Sequence, residues 1–168
     1  MENPANPIGV PTITPFLWFD NQAEEAVNFY ISVFRNSRIL KVFRSGETGP
    51  DPQGRVLTIT FELDGQHFIA LNGGPRFKFT KAISWQVNCS TQEEVDEYWT
   101  RLSQGGEEGR CGWLKDRYGL SWQLKPGILG EMLNGPDPAK AKRVMEAMMQ
   151  MKKIEIAELK RAYDHQPA

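Results

Sequence analysis

Apolar positions recur with period two in some stretches of this chain and with a period near 3.6 in others, and the change-overs mark out strands and helices in order. Thr12-Ile-Thr-Pro-Phe-Leu-Trp-Phe19 is an apolar run bounded by Pro11 and by Asp20-Asn21, which predicts a strand. Pro15 has no N–H for a ladder and so belongs at its start or on an edge. Asp20 or Asn21 should then cap a helix reaching about Phe34, with Glu24 and Glu25 in the favoured first turn. Ala23, Ala26, Val27, Tyr30 and Phe34 share one face of that helix. Arg38 to Arg44 alternates as a second strand, and Gly46 to Gly54 reads as a Gly/Pro-rich loop. Arg55–Leu63 and Gln66–Asn72 are two further strands joined by Asp64-Gly65, a strong hairpin signal. Gly73-Gly74-Pro75 closes this half.

The same order then begins again. Ala82–Asn88 predicts a strand, and Ser90 or Thr91 caps a helix from about Gln92 to Ser103, with Ser90-Thr-Gln-Glu93 spaced as a capping box. Gly105-Gly106 ends it. Short strands near Glu107–Cys111 and Trp113–Asp116, a turn at Tyr118-Gly119 and a strand over Leu120–Lys125 follow. Laid together, Asp20-Asn-Gln-Ala-Glu-Glu-Ala-Val-Asn-Phe-Tyr30 matches Cys89-Ser-Thr-Gln-Glu-Glu-Val-Asp-Glu-Tyr-Trp99 in capped start, acidic pair and aromatic pair. With the strand order repeating as well, the pattern predicts an internal duplication. Past Pro126 the chain turns helical. Asp137 to Gln150 carries an Ala141, Val144, Met145, Met148 stripe, and a shorter helix spans about Glu155 to Tyr163. At helical spacing the methionines read first as packing, within the chain or across a dimer, with a partner or ligand groove as the alternative.

Composition narrows the classes. Hydrophobic residues make up 40% and charged residues 24%, which fits a globular protein. A formal net charge of −1 offers no electrostatic reason to expect nucleic acid or an anionic membrane as partner. No apolar run approaches the roughly 20 residues needed to span a bilayer. Residues 1–10 lack the basic-then-apolar order of a signal peptide and read as a flexible lead-in, so a cytoplasmic location is expected. Cys89 and Cys111 stand apart with no CxxC spacing, the pattern of two reduced thiols.

Three segments carry a family resemblance: Ile13-Thr-Pro-Phe-Leu-Trp-Phe-Asp20, Ala23-Glu-Glu-Ala-Val-Asn-Phe-Tyr30, and Cys111-Gly-Trp-Leu-Lys-Asp-Arg-Tyr-Gly-Leu-Ser-Trp-Gln123. Together with the tail from Asp137 to Leu159 they resemble the PhnB-like branch of the vicinal-oxygen-chelate (glyoxalase-like) superfamily, over nearly all of the chain from Pro11. Members often carry the label 3-demethylubiquinone 3-methyltransferase. A methyl-donor-binding Rossmann unit needs a Gly-rich strand-to-helix turn beside a parallel sheet, and neither Gly73-Gly74 nor Gly105-Gly106 is so placed. The resemblance implies an α+β fold of two βαβββ modules, here residues 11–74 and 80–126, with C-terminal helices over 137–164. It also implies a concave cavity, often completed across a homodimer.

Enzymes of the superfamily hold a divalent ion with one ligand on the first and last strand of each module. The corresponding positions here are Thr14 (or Pro15), Ala70, Ser84 (or Ala82) and Gln123, of which only Gln123 is a plausible donor. His67, beside a turn, and His165, in the polar tail, do not replace the missing ligands. The expectation is therefore no metal and no cofactor. Strand alternation assigns Phe16, Trp18, Phe68, Ala70, Asn72, Ser84, Gln86, Ser121 and Gln123 to the cavity. It assigns Leu17, Phe19, Ile69, Leu71, Ile83, Trp85, Val87, Leu120, Trp122 and Leu124 to the core. Lys115-Asp116-Arg117 is a solvated turn or, alternatively, a pocket mouth formed by Lys115 and Asp116.

Three functional classes fit these residues. The first is a small-molecule-binding protein with an aromatic cavity and no metal, forming a homodimer. The second is an enzyme of the vicinal-oxygen-chelate type (lyase, dioxygenase or transferase). The third is an oligomeric interaction protein built around the methionine-rich helices. Fold alone does not choose among them.

Overall fold

The computed structural model describes residues 11–46 and 54–165. The chain divides into two compact units with the boundary between Lys78 and Phe79. The first contains β1 (Phe16–Phe19), α1 (Ala23–Val33), β2 (Arg38–Arg44), β3 (Val56–Leu63) and β4 (Gln66–Asn72). The second contains β5 (Trp85–Cys89), α2 (Gln92–Ser103), β6 (Glu107–Glu108), β7 (Trp113–Lys115) and β8 (Ser121–Pro126), then α3 (Gly127–Leu133), α4 (Pro138–Gln150) and α5 (Ile156–Asp164). Each unit holds one four-stranded mixed sheet, ordered β1-β4-β3-β2 and β5-β8-β7-β6. In both, the first strand pairs parallel with the last, and the remaining pairs are antiparallel. This is an α+β architecture of the glyoxalase-like kind with C-terminal helices. The expected duplication has a structural counterpart: Ala23 and Gln92, matched in the repeat alignment, each begin a helix, and the matched Tyr30 and Trp99 are both buried.

Local chemistry explains most boundaries. Asp64 and Gly65 both have positive φ (45° and 82°), the two-residue turn that matches strand twist and joins β3 to β4. Asp137 caps α4 by accepting from the amides of Ala139 and Lys140, with Pro138 at the first helical position. The capping box of α2 lies one residue later than expected. Thr91 Oγ1 accepts from Glu94 N, and Glu94 Oε2 accepts from Ser90 N in return. Neither Asp20 nor Asn21 caps α1. Gln22 is its N-cap residue and makes no side-chain cap bond. Instead Asn72, at the end of β4, accepts from Ala23 N at 2.8 Å through Oδ1 and donates to Val56 O at 3.0 Å through Nδ2. The free N-terminal amide of the helix is thus satisfied from the neighbouring strand.

The first strand is shorter than expected, although Pro15 O still accepts from Ile69 N. α3 had no helical signature in sequence, being seven residues with two glycines, and it forms because Leu129 and Met132 are buried against α4 and α5. Most of the Gly46–Gly54 loop and the lead-in over residues 1–10 lie outside the described residues.

Candidate functional site

Helices cover one face of each sheet, and the other face holds the candidate site. In unit 1, α1 packs on β3 and β4. Buried Leu17 and Phe19 register with Ala70 and Asn72 across the parallel β1–β4 pair. Ile59 and Phe61, buried on β3, register with Ala70 and Phe68. Phe68, Ala70 and Asn72 therefore lie on the helix side. This corrects their assignment to a cavity, and Ile69 and Leu71 take the open face in their place. Alternation was legible in the sequence but its phase was not. Asn72 looked like a cavity amide because its polar side chain is consumed by capping, which only the register reveals.

The open face of unit 1 carries Phe16, Trp18, Ile69, Leu71, Thr58 and Thr60, with Phe16 55% exposed. Trp18 is held in one pose. Its Nε1 donates to Gly74 O at 2.9 Å, and Phe77 meets its ring edge-on with centroids 5.0 Å apart. Gly73 has no side chain beneath the indole, where a Cβ would fall 2.3 Å from the ring. Further along the same face, His67 Nε2 and Glu62 Oε2 are 3.0 Å apart, with Arg38 at 3.6 Å from the same oxygen.

In unit 2, α2 packs on β5, β7 and β8, and Leu114, Leu120, Trp122 and Leu124 form the core. Trp85 and Val87 register with Trp122 and Leu124 and share their face. Ile83, expected in the core, is 66% exposed because the strand begins only at Trp85. The open face carries Gln86, Asn88, Ser121, Gln123, Lys125 and Trp113. Gln123 Nε2 donates to Ser84 Oγ at 2.8 Å, and Gln86 Nε2 donates to Asn88 Oδ1 at 2.8 Å. Ser121 shares this face but is 1% exposed. Lys125, which sequence reasoning passed over, is half-buried there and donates to Cys111 O at 3.2 Å. Burial holds its pKa below the usual lysine range.

Asp116 is not at a pocket mouth. It is 2% exposed and organises the β7–β8 turn. Oδ1 accepts from the amides of Tyr118 and Leu120 at 2.9 and 3.0 Å, and Oδ2 accepts from Trp122 Nε1 at 2.8 Å. Its neighbours in sequence do face outward: Lys115 pairs with Glu107 at 2.6 Å, and Arg117 donates to Gln104 O. Cys89 is buried, and desolvation, helped by the charge of Glu94, pushes its thiol up to about 11. It is no nucleophile at neutral pH.

The donor set does not fit the divalent ion held by other members of this fold. On the open face of its first and last strands unit 1 offers Phe16, Trp18, Ile69 and Leu71, with His67 at the far end of β4 engaged by Glu62, and the corresponding strands of unit 2 offer neutral amides, hydroxyls and one ammonium. Among the described residues no three His, Cys, Asp or Glu side chains gather as a metal site.

The family model described as 3-demethylubiquinone-9 3-methyltransferase matches residues 11–125. The chain belongs to this PhnB-like family. The solved PhnB protein of Bacillus cereus is 40% identical over 70% of this chain and 100% of its own, with a TM-score of 0.65. Protein PA1353 of Pseudomonas aeruginosa is 18% identical over 68% of this chain and 96% of its own, with a TM-score of 0.57. A fosfomycin resistance protein, FosX, of Listeria monocytogenes is 19% identical over 74% of this chain and 98% of its own, with a TM-score of 0.55. The last two share the fold with this PhnB-like chain. No curated protein matches it in sequence. Among the described residues no helix is long and apolar enough to cross a membrane.

Proposed function

We propose that this PhnB-like chain binds a small molecule on an aromatic surface without the metal used elsewhere in the superfamily. The observation that carries this reading is the pose of Trp18, fixed by Gly74 O, Phe77 and the bare Gly73 while Phe16 beside it stays exposed. An indole immobilised before a ligand arrives costs little further ordering, and a planar partner can stack on it. FosX of Listeria monocytogenes has been solved with Mn(II) and sulfate. On the open face Glu62 is engaged by His67 and Arg38, and among the described residues no three His, Cys, Asp or Glu side chains gather, so ion-dependent chemistry is not part of this reading. Phe16 and Trp18 remain the proposed contacts on the first unit, and Ser84, Gln86 and Gln123 are proposed contacts on the open face of the second.

Methyl transfer, the activity in the family's description, is set aside on architecture. Both sheets are mixed, and Gly73-Gly74 serves Trp18 while Gly105-Gly106 follows the end of α2. The two cysteines stand as free thiols, which suits the proposed cytoplasmic location. A homodimer is proposed as well. β2 is an edge strand with Leu40, Val42 and Phe43 exposed, a surface that natural proteins cover or charge.

The deciding experiment combines elemental analysis of dialysed protein with a ligand screen read by tryptophan fluorescence, in wild type and Trp18→Ala. No retained metal, with hits that weaken in the variant, supports the reading. Stoichiometric Zn, Ni, Mn or Fe surviving dialysis would overturn it.

A further inference from the structure

The open face of β8 carries a charge with no counter-charge. Lys125 follows Gln123 on that face and registers with Asn88 of β5. Its ammonium meets the Cys111 carbonyl, and among the described residues no carboxylate stands within ion-pair distance of it. Several other lysines of the same unit are matched, among them Lys115 with Glu107, Lys152 with Glu108, and Lys153 with Asp96 and Glu155. A half-buried cation held only by a carbonyl dipole is incompletely compensated, and burial accordingly favours its neutral form. The Cys111 thiol is the other titratable group acting on it. Asn88 registers with Lys125, and the next pair along the same face is Gln86 with Gln123, all neutral amides able to donate.

We propose that Lys125 anchors a ligand site on this face and that the ligand is a small organic oxyanion, a carboxylate or a phosphate ester. One negative oxygen takes the ammonium, and the amides of Asn88 and Gln123 serve the remaining oxygens. The arrangement favours one anionic head group, since a single cation stands among uncharged donors. The proposal rests on the binding reading above and gives a ligand class to the second unit's open face.

The test uses the full chain with lysines reductively ¹³C-dimethylated, the Lys125 resonance being assigned by its absence in Lys125→Arg. Acetate and inorganic phosphate are titrated separately against chloride at matched ionic strength. The expected result is a Lys125 signal that titrates below those of the other lysines and moves up saturably with one of the two anions, which identifies the head group. Binding should weaken about tenfold or more in Lys125→Met and persist in Lys125→Arg. A resonance unmoved by either anion overturns the proposal, as does equal affinity in Lys125→Met. Screen hits that need Trp18, with a Lys125 resonance that neither anion moves, would remove the anchor and leave the binding reading standing. A chain that binds no small molecule at all would remove both.

Discussion

Asp116 occupies the most polar stretch of the second half, between Lys115 and Arg117, yet it is among the most buried side chains in the molecule. Its carboxylate gathers two backbone amides and the Trp122 indole N–H, so the turn and the core tryptophan are tied through one residue. Asp116→Ala leaves those donors buried and unpaired, and a loss of about 3 kcal/mol is expected in urea unfolding. Asp116→Asn, which keeps one acceptor oxygen, should lose less. Gly73→Ala tests a different contact. A Cβ 2.3 Å from the Trp18 ring must push the indole off its Gly74 hydrogen bond, so the near-ultraviolet dichroism of Trp18 should collapse while the far-ultraviolet spectrum holds. Neither role was visible in the sequence. A charged triplet reads as a solvated turn, and a Gly-Gly pair reads as a loop, until the register brings Trp122 and Trp18 over them.

Elements were easier to read than their attachments. β2 and β4 fall where alternation put them, and α4 begins where Asp137-Pro138 said it would. The docking of the C-terminal helices had no sequence signal, because it runs through backbone groups of the α4–α5 linker. Cys111 N donates to Met151 O and Gly112 N to Lys152 O, both at 2.8 Å. Gly112 has φ +78°, and a Cβ there would sit 2.5 Å from Leu124 O, so this close approach requires glycine. Gln92 on α2 grips the linker from the other side, donating to Ile154 O and accepting from Ile156 N. Gln92→Ala should raise amide exchange at Ile156 and the first turn of α5 by tenfold or more, on the order of one lost buried hydrogen bond, with β3 and β4 unchanged. Lys153 bonded to Asp96 holds that carboxyl below the usual aspartate range. A depressed carboxyl pKa contributes stability above the unfolded value and loses it as pH falls through the folded one. The linker should therefore resist mild acid and loosen only below that range, and Asp96→Asn should abolish this acid step in an exchange experiment.

At the scale of the whole chain, the repeated strand order was legible because two helices share an acid-rich, doubly aromatic pattern. The faces of the strands were not, since alternation is symmetric under a one-residue shift. The buried Cys89 gives the molecule an alkaline signature. Its thiol titrates near 11 in the folded chain against 9.0 unfolded, so folding retains a proton across that interval. Stability should be full below pH 9.0 and decline towards 11, by about 2 kcal/mol. Thermal melts of Cys89→Ala should lack that decline. One last consequence follows from Asn72 reaching 49 residues back to the start of α1, and from β1 finding its sheet partner in β4. Of the strands in this unit Phe16–Phe19 is translated first, yet it has nothing to pair with until Asn72 has been synthesised. The β3–β4 hairpin, closed by Asp64-Gly65, needs no such wait. In pulse-labelled refolding, amides of Ile59 to Phe68 should become protected before those of Leu17 to Phe19, making the first strand translated in this unit the last to join its sheet.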